Sequence, residues 1–389
     1  MKQKIYFDHN STTPVLPEVV KAMEPFWAEL YANPSSIHEA GTRVAREIRK
    51  AREEVALFLG AQDETEIIFT SGGTESNNTA FRSALWTEKG KRRIVTTSVE
   101  HSSVLKLAKA LEEEGAGVFY VPVNQKGELD LEKWRAAVAS ETLLASVMMA
   151  NNETGILFPI EEIGRELREK EILFHVDGVQ AAGKIPISLK DSCLDFFSLS
   201  GHKLGAPKGI GVLYVRKGIP FRSYCFGGAQ ERGRRAGTEN VPGMIGLGVA
   251  CKLHREKFIP MNQHLRQLRN HFEQEVLRRV PKVEINGDPQ NRLPNTSHLA
   301  FEGIDSETLL ILLDQEGIYA SSGSACLSGA HEPSHVLKAM GFSKERARSS
   351  IRFSFGIQNT IEEVEAAAAI LGHLVSRLRQ IELEDQHPH

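Results

Sequence analysis

The alternation of short apolar runs with amphipathic stretches is the feature that most constrains the fold of this chain. Runs rich in β-branched or aromatic residues predict strands over 66–70, 93–98, 118–121, 145–150, 172–176, 196–200 and 211–215. Patterns with helical spacing fall between most of them, over 75–89, 101–114 and 160–170. This alternation predicts an α/β domain in which helices flank both faces of a mostly parallel sheet.

A different pattern follows the last of these strands. A long helical region begins near Val241 and continues to Arg279 with a break around Pro260, and an α+β segment with helices over 306–315 and 361–379 comes after it. Because 389 residues exceed the size at which a single core usually stops growing, we expect two domains. We predict a large domain over 14–255 and a smaller α+β domain formed by 1–13 and 256–389.

Charge, hydrophobicity and cysteine spacing indicate which kinds of partner and which cellular compartment to expect. The formal net charge of −3 gives no reason to expect nucleic acid or an anionic membrane as a partner. The longest apolar run, 143–150, is too short to span a bilayer, and the polar N-terminus predicts no secretory signal. The cysteines show no disulfide or zinc-ligand spacing, which predicts a reducing, cytoplasmic location and no resident metal. They are Cys193, Cys225, Cys251 and Cys326.

Two polar residues directly follow buried strands of the predicted sheet. Lys203 comes after the strand 196–200, at the edge where open α/β sheets bind ligands, and a lysine there can form a Schiff base. Asp177 ends another strand and can pair with a protonated pyridine nitrogen, while Gln180 can donate to the phenolic oxygen of the same ring. Taken singly, Lys203 also fits a solvated surface lysine and Asp177 a helix N-cap, so both alternatives stay open.

A glycine-rich junction predicts a phosphate site. Gly73 and Thr74 follow the strand 66–70 and open a helix, whose free N–H groups and positive dipole end favour an anion. Ser200 and His202, beside the lysine, can complete this phosphate cup. An ordinary capped glycine turn is the alternative. The glycine- and arginine-rich stretch 227–240 is either an anion-binding loop or an exposed basic loop.

Three further residues are candidates for chemistry on a substrate. His101 opens a helix after the strand 93–98, where an imidazole can stack on a ring and move protons, although a lone histidine is more often structural. Cys326 lies among small residues, which favours an accessible nucleophile on a loop over about 321–334 rather than a packed core cysteine. Arg352, on a predicted strand, suits bidentate binding of a carboxylate, with a surface salt bridge as the alternative.

Taken in order, these motifs resemble the cysteine desulfurases of the NifS and IscS type, within the class-V aminotransferase family, over nearly the whole chain. The matching motifs are Ser-Gly-Gly-Thr-Glu-Ser at 71–76, Glu-His at 100–101, Asn-Asn-Glu-Thr-Gly at 151–155, His-Val-Asp at 175–177, Ser-Gly-His-Lys at 200–203, Gly-Thr-Glu-Asn at 237–240 and the serine-rich run ending at Cys326. The resemblance implies fold type I of the pyridoxal-phosphate enzymes: a large domain with a mostly parallel sheet flanked by helices, a smaller α+β domain, and a homodimer.

The resemblance also implies a role for each candidate residue. By this resemblance, Lys203 forms the Schiff base, His101 stacks on the ring and transfers protons, and Cys326 carries the persulfide. Asn152 and Arg352 bind the substrate carboxylate. The residues implied for pyridoxal phosphate are Gly73, Thr74, Asn152, Asp177, Gln180, Ser200, His202 and, from the other subunit, Thr238.

The implied reaction removes sulfur from L-cysteine, releases L-alanine and leaves a persulfide on Cys326. That sulfur goes to an acceptor such as an iron–sulfur scaffold protein, whose cluster Cys326 can contact transiently. The alternatives are a selenocysteine lyase or an aminotransferase on the same fold and, from another class, a non-catalytic sulfur-transfer scaffold. Because an aminotransferase needs no cysteine on a loop and a scaffold needs no catalytic groups, we expect a desulfurase. A selenocysteine lyase stays open as an alternative, since both substrates fit the same groups.

Overall fold

A seven-stranded sheet organises the larger part of the molecule. The computed structural model describes residues 4–88, 90–323 and 333–386. After a short first strand, β1 (Ile5–Tyr6), the strands of this sheet are β2 (Ile67–Thr70), β3 (Arg93–Thr97), β4 (Gly117–Val121), β5 (Thr142–Met148), β6 (Leu173–Asp177), β7 (Phe196–Ser200) and β8 (Gly211–Val215). Their order is β2-β8-β7-β6-β5-β3-β4, and β8 alone among them runs against the others. The predicted mostly parallel sheet is therefore confirmed.

Helices cover both faces of this sheet. The helices of the described residues, on this sheet and in the C-terminal part of the chain, are α1 (Pro17–Met23), α2 (Pro25–Ala28), α3 (Glu39–Leu59), α4 (Gly73–Thr87), α5 (Ser102–Glu113), α6 (Leu131–Ala137), α7 (Ile160–Glu169), α8 (Val241–Glu256), α9 (Phe258–Arg279), α10 (Ser306–Gln315), α11 (His335–Ala339), α12 (Lys344–Arg348) and α13 (Ile361–Gln386). Successive strand residues point to opposite faces. Phe69 of β2 accordingly packs in one buried cluster with α3 and α8, whereas Ile68 packs with Phe81 of α4 in another. No helix in the described ranges is long and apolar enough to cross a membrane.

A second apolar cluster lies in the C-terminal part of the chain. An antiparallel sheet in the order β12-β10-β9 is formed by β9 (Val283–Ile285), β10 (Thr296–Phe301) and β12 (Ser350–Ser354), and β1 pairs in parallel with β11 (Ile318–Tyr319). Ile5 and Phe7 from the N-terminus pack into this cluster together with α9 and α13. Val336 and Leu337 of α11 instead join the cluster beneath the large sheet. The division at residues 14 and 256 stays a prediction.

The structure moves two of the predicted boundaries. The break in the long helical region falls at Lys257, between α8 and α9, and Pro260 lies in the first turn of α9. A helix tolerates proline there because the N–H groups of its first turn have no intrahelical acceptor. The strand predicted over 145–150 covers Thr142–Met148 instead. Its apolar run continues past the end of the hydrogen-bonded ladder, so hydrophobicity alone misplaces that end.

Candidate active site

A cavity of about 370 Å³ opens at the carboxyl ends of β5, β6 and β7, where the polar residues after these strands converge. The predicted site residues that line it are Gly73, Thr74, His101, Asn152, Asp177, Gln180, Ser200, His202, Lys203 and Arg352. Thr238 is exposed on the surface and does not line the cavity of its own chain. Cys326 lies outside the described residues, and Gly323, three positions earlier, lines the cavity.

Lys203 enters the cavity from a short turn that follows β7. Its Nζ donates hydrogen bonds to the backbone carbonyl oxygens of Asn10 at 2.5 Å and Ser11 at 2.6 Å. Burial, assisted by the nearby Arg352, lowers the pKa of the Lys203 amine to about 8. A large fraction of this amine is therefore neutral in weakly alkaline solution, and the neutral form is the nucleophile that attacks a carbonyl. Lys203 is accordingly not the solvated surface lysine left open as an alternative.

Asp177 is fixed at the end of β6 by donors on both of its oxygens. Asn77 Nδ2 donates to Oδ2 at 2.8 Å, and the backbone N–H of Val179 donates to Oδ1 at 3.0 Å. A Cβ atom on Gly178 would lie 1.8 Å from the ring of Phe197, so only glycine allows the chain to turn here. This packing holds the carboxylate in the cavity, where it can face a cationic ring nitrogen.

His101 presents a defined tautomer to the cavity. It is the N-cap of α5, and its Nδ1 accepts the backbone N–H of Ser103 at 3.2 Å. Because a backbone N–H can only donate, the proton of the neutral ring is assigned to Nε2. Desolvation by the cavity walls lowers the pKa of His101, and Lys203 acts in the same direction while Asp177 opposes it. The neutral ring therefore presents the N–H of Nε2 as a hydrogen-bond donor.

The other end of the cavity is suited to a phosphate group. Gly73 and Thr74 form the N-terminus of α4, whose first N–H groups are available to an anion. A Cβ atom on Gly73 would lie 2.7 Å from the side chain of Val179, so the glycine allows the helix to approach the loop after β6. Ser200 and His202 line the same cavity. Burial lowers the pKa of His202 to about 4, so its ring is a neutral hydrogen-bonding group near pH 7 rather than a cation.

Arg352, on β12 of the C-terminal sheet, also lines the cavity. Its guanidinium donates to Asp8 Oδ1 at 2.7 Å, to Ser11 Oγ at 2.8 Å and to the carbonyl oxygen of Asn152 at 2.9 Å. The residue is buried, and its Nε and the side-chain Oδ1 of Asn152 are buried polar atoms without a hydrogen-bond partner among the described residues. Unpaired polar atoms at such depth are costly, and the two residues that carry them both line the cavity, whose wall is therefore suited to a polar ligand.

Sequence reasoning missed several residues that hold this site together. Asn77 Nδ2 donates both to Asp177 and to Ser103 Oγ, which in turn contacts His101 Nδ1 at 2.8 Å. Asn77 follows Gly73 by four positions and therefore shares its face of α4, a spacing that the sequence already contained. Asn10 left no such signal, because its carbonyl oxygen binds Lys203 across 193 positions of sequence.

The stretch 227–240 is tied down by its charged residues. Glu231 is buried and accepts two hydrogen bonds at 2.6 Å from Arg52, and Arg235 pairs with Glu75 at 2.9 Å. Glu231 and Arg232 hold left-handed backbone angles, with φ of 48° and 59°, which non-glycine residues seldom adopt. The segment is thus anchored to α3 and α4 rather than being a free basic loop, and it presents Thr238 outward.

Comparisons with known proteins identify the family. The profile described as aminotransferase class-V matches residues 5–367. The chain belongs to the class-V aminotransferase family. A cysteine desulfurase of Trichormus azollae is 49% identical over 97% of this chain and 94% of its own length. The cysteine desulfurase NifS of Azotobacter vinelandii is 48% identical with the same coverage. A solved structure described as a NifS-like protein is 39% identical with a TM-score of 0.91, over 96% of this chain and all of that one. The predicted family and fold class are confirmed.

Class-V aminotransferases of the cysteine desulfurase type depend on pyridoxal phosphate, and the residues present fit this cofactor. Asp177 offers a fixed carboxylate for the pyridine nitrogen, and the Lys203 amine lies in the same cavity. The N-terminus of α4 offers free N–H groups for the phosphate. In the ranges that the structure describes, no group of three or more His, Cys, Asp or Glu side chains is placed to hold a metal ion.

Proposed function

We propose that this class-V aminotransferase family member is a cysteine desulfurase, which removes the sulfur of L-cysteine and releases L-alanine. The observation that carries the proposal is the convergence of Lys203, Asp177, His101 and Arg352 on one cavity. These groups supply an amine for the cofactor, a partner for its ring nitrogen, a hydrogen-bond donor and a site for the substrate carboxylate. The names of the relatives in Trichormus and Azotobacter support the same activity.

Each of these side chains has a task that follows from its environment. Arg352 and Asn152 bind the substrate carboxylate, because both line the cavity and a guanidinium and an amide NH₂ can donate hydrogen bonds to carboxylate oxygens. Pyridoxal phosphate, when bound, supplies the electron sink that weakens the bonds around the substrate Cα. Lys203, with its lowered pKa, takes the Cα proton on Nζ and can return it to carbon as the ammonium, while His101 offers the N–H of Nε2 as a hydrogen-bond donor.

Cys326 is the proposed sulfur acceptor. As a thiolate it attacks the substrate sulfur, so that an S–S bond forms while the C–S bond breaks and its electron pair stays on carbon. The carbon fragment takes up protons and leaves as alanine, and Cys326 carries the persulfide. Gly323 supports this assignment because it lines the cavity only three positions before Cys326.

Mass spectrometry after exposure to cysteine tests the proposal. The holoenzyme should release alanine, and its Cys326 peptide should gain about 32 Da per sulfur atom, removable by a reductant. Cys326→Ser should keep the cofactor absorption band and lose turnover, because serine is a far weaker nucleophile toward sulfur than a thiolate. Cys225→Ser is the matched control, since Cys225 is only partly buried and does not line the cavity. Added sulfur on Cys193, Cys225 or Cys251, or wild-type turnover by Cys326→Ser, would contradict the mechanism.

We further infer a homodimer in which Thr238 reaches the phosphate site of the partner subunit. Two features support this: Thr238 points outward from an anchored segment, and large apolar side chains such as Trp27, Tyr31 and Phe226 are more than 60% exposed in the single chain. The persulfide sulfur then passes to an acceptor protein, of which an iron–sulfur scaffold is one kind. Because this chemistry needs a free thiol, we place the enzyme in a reducing compartment such as the cytoplasm.

A further inference from the structure

Lys184 lies behind the cofactor site without any assigned task. It follows Gln180 by four residues, in the turns that connect β6 to the rest of the large sheet. Its Nζ donates to the carbonyl oxygen of Gln180 at 2.9 Å and to the side-chain Oε1 of the same residue at 3.3 Å. The residue also lines a small cavity of about 40 Å³ together with His9 and His254. Both of its described hydrogen bonds therefore go to one residue of the active site.

The charged groups around Lys184 do not include a carboxylate partner within the described part of the chain. Burial, together with the positive charges of Lys203 and Arg352, lowers the pKa of the Lys184 amine to about 7. The neighbouring His9 and His254 have pKa values lowered to about 4 by burial, so they are neutral near pH 7. A lysine kept in such surroundings without a carboxylate is costly, which suggests a task beyond stability.

The hydrogen bonds define which way the Gln180 amide points. The Gln180 Nε2 donates to the carbonyl oxygen of Asn10 at 2.9 Å, while Oε1 faces the Lys184 amine. A rotated amide would set acceptor against acceptor at Asn10, and it would set donor against donor at Lys184 when that amine is protonated. The neutral Lys184 amine still carries two N–H bonds, one for each Gln180 oxygen. The amide orientation is thus fixed at both of its ends.

We propose that Lys184 is a positioning residue, which holds the Gln180 amide so that its second Nε2 hydrogen is available to the phenolic oxygen of the cofactor. Nε2 has two hydrogens, and Asn10 takes only one. Gln180 is buried and lines the large cavity, so the second hydrogen is available there. The same Asn10 carbonyl oxygen also accepts from Lys203, so the arrangement links Lys184 to the Schiff-base lysine.

This inference rests on the proposed function, because it concerns how the chain binds pyridoxal phosphate. Its test is the pH titration of the visible absorption band of the holoenzyme. A donor that faces the phenolic oxygen stabilises its ionised form and holds the titration midpoint down. Lys184→Met lets the Gln180 amide turn, so the midpoint should rise by about half to one pH unit, the size of one hydrogen bond. Lys190→Met is the matched control on an exposed lysine and should leave the midpoint unchanged.

A double-mutant cycle with Gln180→Leu separates positioning from a direct effect of the lysine charge. Gln180→Leu should raise the midpoint by a similar amount, and Lys184→Met should add nothing in that background. A further shift in the Gln180→Leu background would overturn the inference, because Lys184 would then act on the cofactor without Gln180. An unchanged midpoint in Lys184→Met alone would overturn it as well.

Two further measurements keep the outcome unambiguous. If Lys184→Met yields no folded holoenzyme, Lys184→Gln serves the same test, because its shorter side chain cannot span to Oε1. Lys184→Arg keeps the donors and should hold the midpoint close to that of the wild type. A wild-type protein that shows no visible band with pyridoxal phosphate would instead refute the proposed function, which makes the two failures distinguishable.

Discussion

Arg352 should make the enzyme prefer substrates that carry a carboxylate over analogues that lack one. The guanidinium is buried and donates hydrogen bonds to Asp8, to Ser11 and to the Asn152 carbonyl oxygen, while Nε has no partner among the described residues. Arg352→Lys keeps the charge but removes the planar fork, so at least one bond to the carboxylate is lost. A hydrogen bond to a charged group contributes about 1.5–3 kcal/mol, which corresponds to a loss of about 10- to 150-fold in kcat/KM for cysteine.

The assay compares L-cysteine with cysteamine, which has the same thiol and amine but no carboxylate. Because cysteamine has no carboxylate to contact Arg352, Arg352→Lys should change the kcat/KM for cysteamine little. If turnover of cysteamine is slow, its binding affinity, measured from the cofactor absorption band, should likewise change little. Arg346→Lys is the control: Arg346 pairs with Glu284 and does not line the large cavity. An equal loss with both substrates would refute the reasoning, because Arg352 would then act through Asp8 or the fold rather than on the carboxylate.

Two other predictions concern the cofactor and the dimer. Because burial lowers the pKa of Lys203 to about 8, its amine is protonated below that pH and nucleophilic above it. Incorporation of pyridoxal phosphate into the apoprotein, followed by stopped-flow absorbance, should therefore accelerate as the pH rises through about 8. A rate that does not depend on pH would contradict this. Lys203→Ala and Thr238→Ala subunits, each inactive or weakened alone, should regain part of the activity when mixed, because one site of the heterodimer then carries neither change. No recovery in verified heterodimers would mean that Thr238 acts within its own chain.

The α/β architecture and the chemistry available to it can be predicted from the amino-acid sequence alone. The alternation of apolar runs and amphipathic stretches predicted the seven strands of the large sheet because burial on two faces requires that pattern. Parallel strands also end at one edge of a sheet, so polar residues directly after them, such as Asp177 and Lys203, were expected to meet. These conclusions depend on local periodicity and on strand direction, both of which a sequence records.

The pKa values and hydrogen-bond partners of these groups depend on contacts that form only in the folded chain. Lys203 and Arg352 bind Asn10, Asp8 and Ser11, which lie 192 to 344 positions away, and no periodic pattern records such contacts. The pKa of Lys184 likewise depends on burial and on charges contributed by distant parts of the chain. Hydrogen-bond geometry and desolvation fall off over a few ångströms in space, so they are fixed when the N-terminal segment and the C-terminal sheet close over the strand ends.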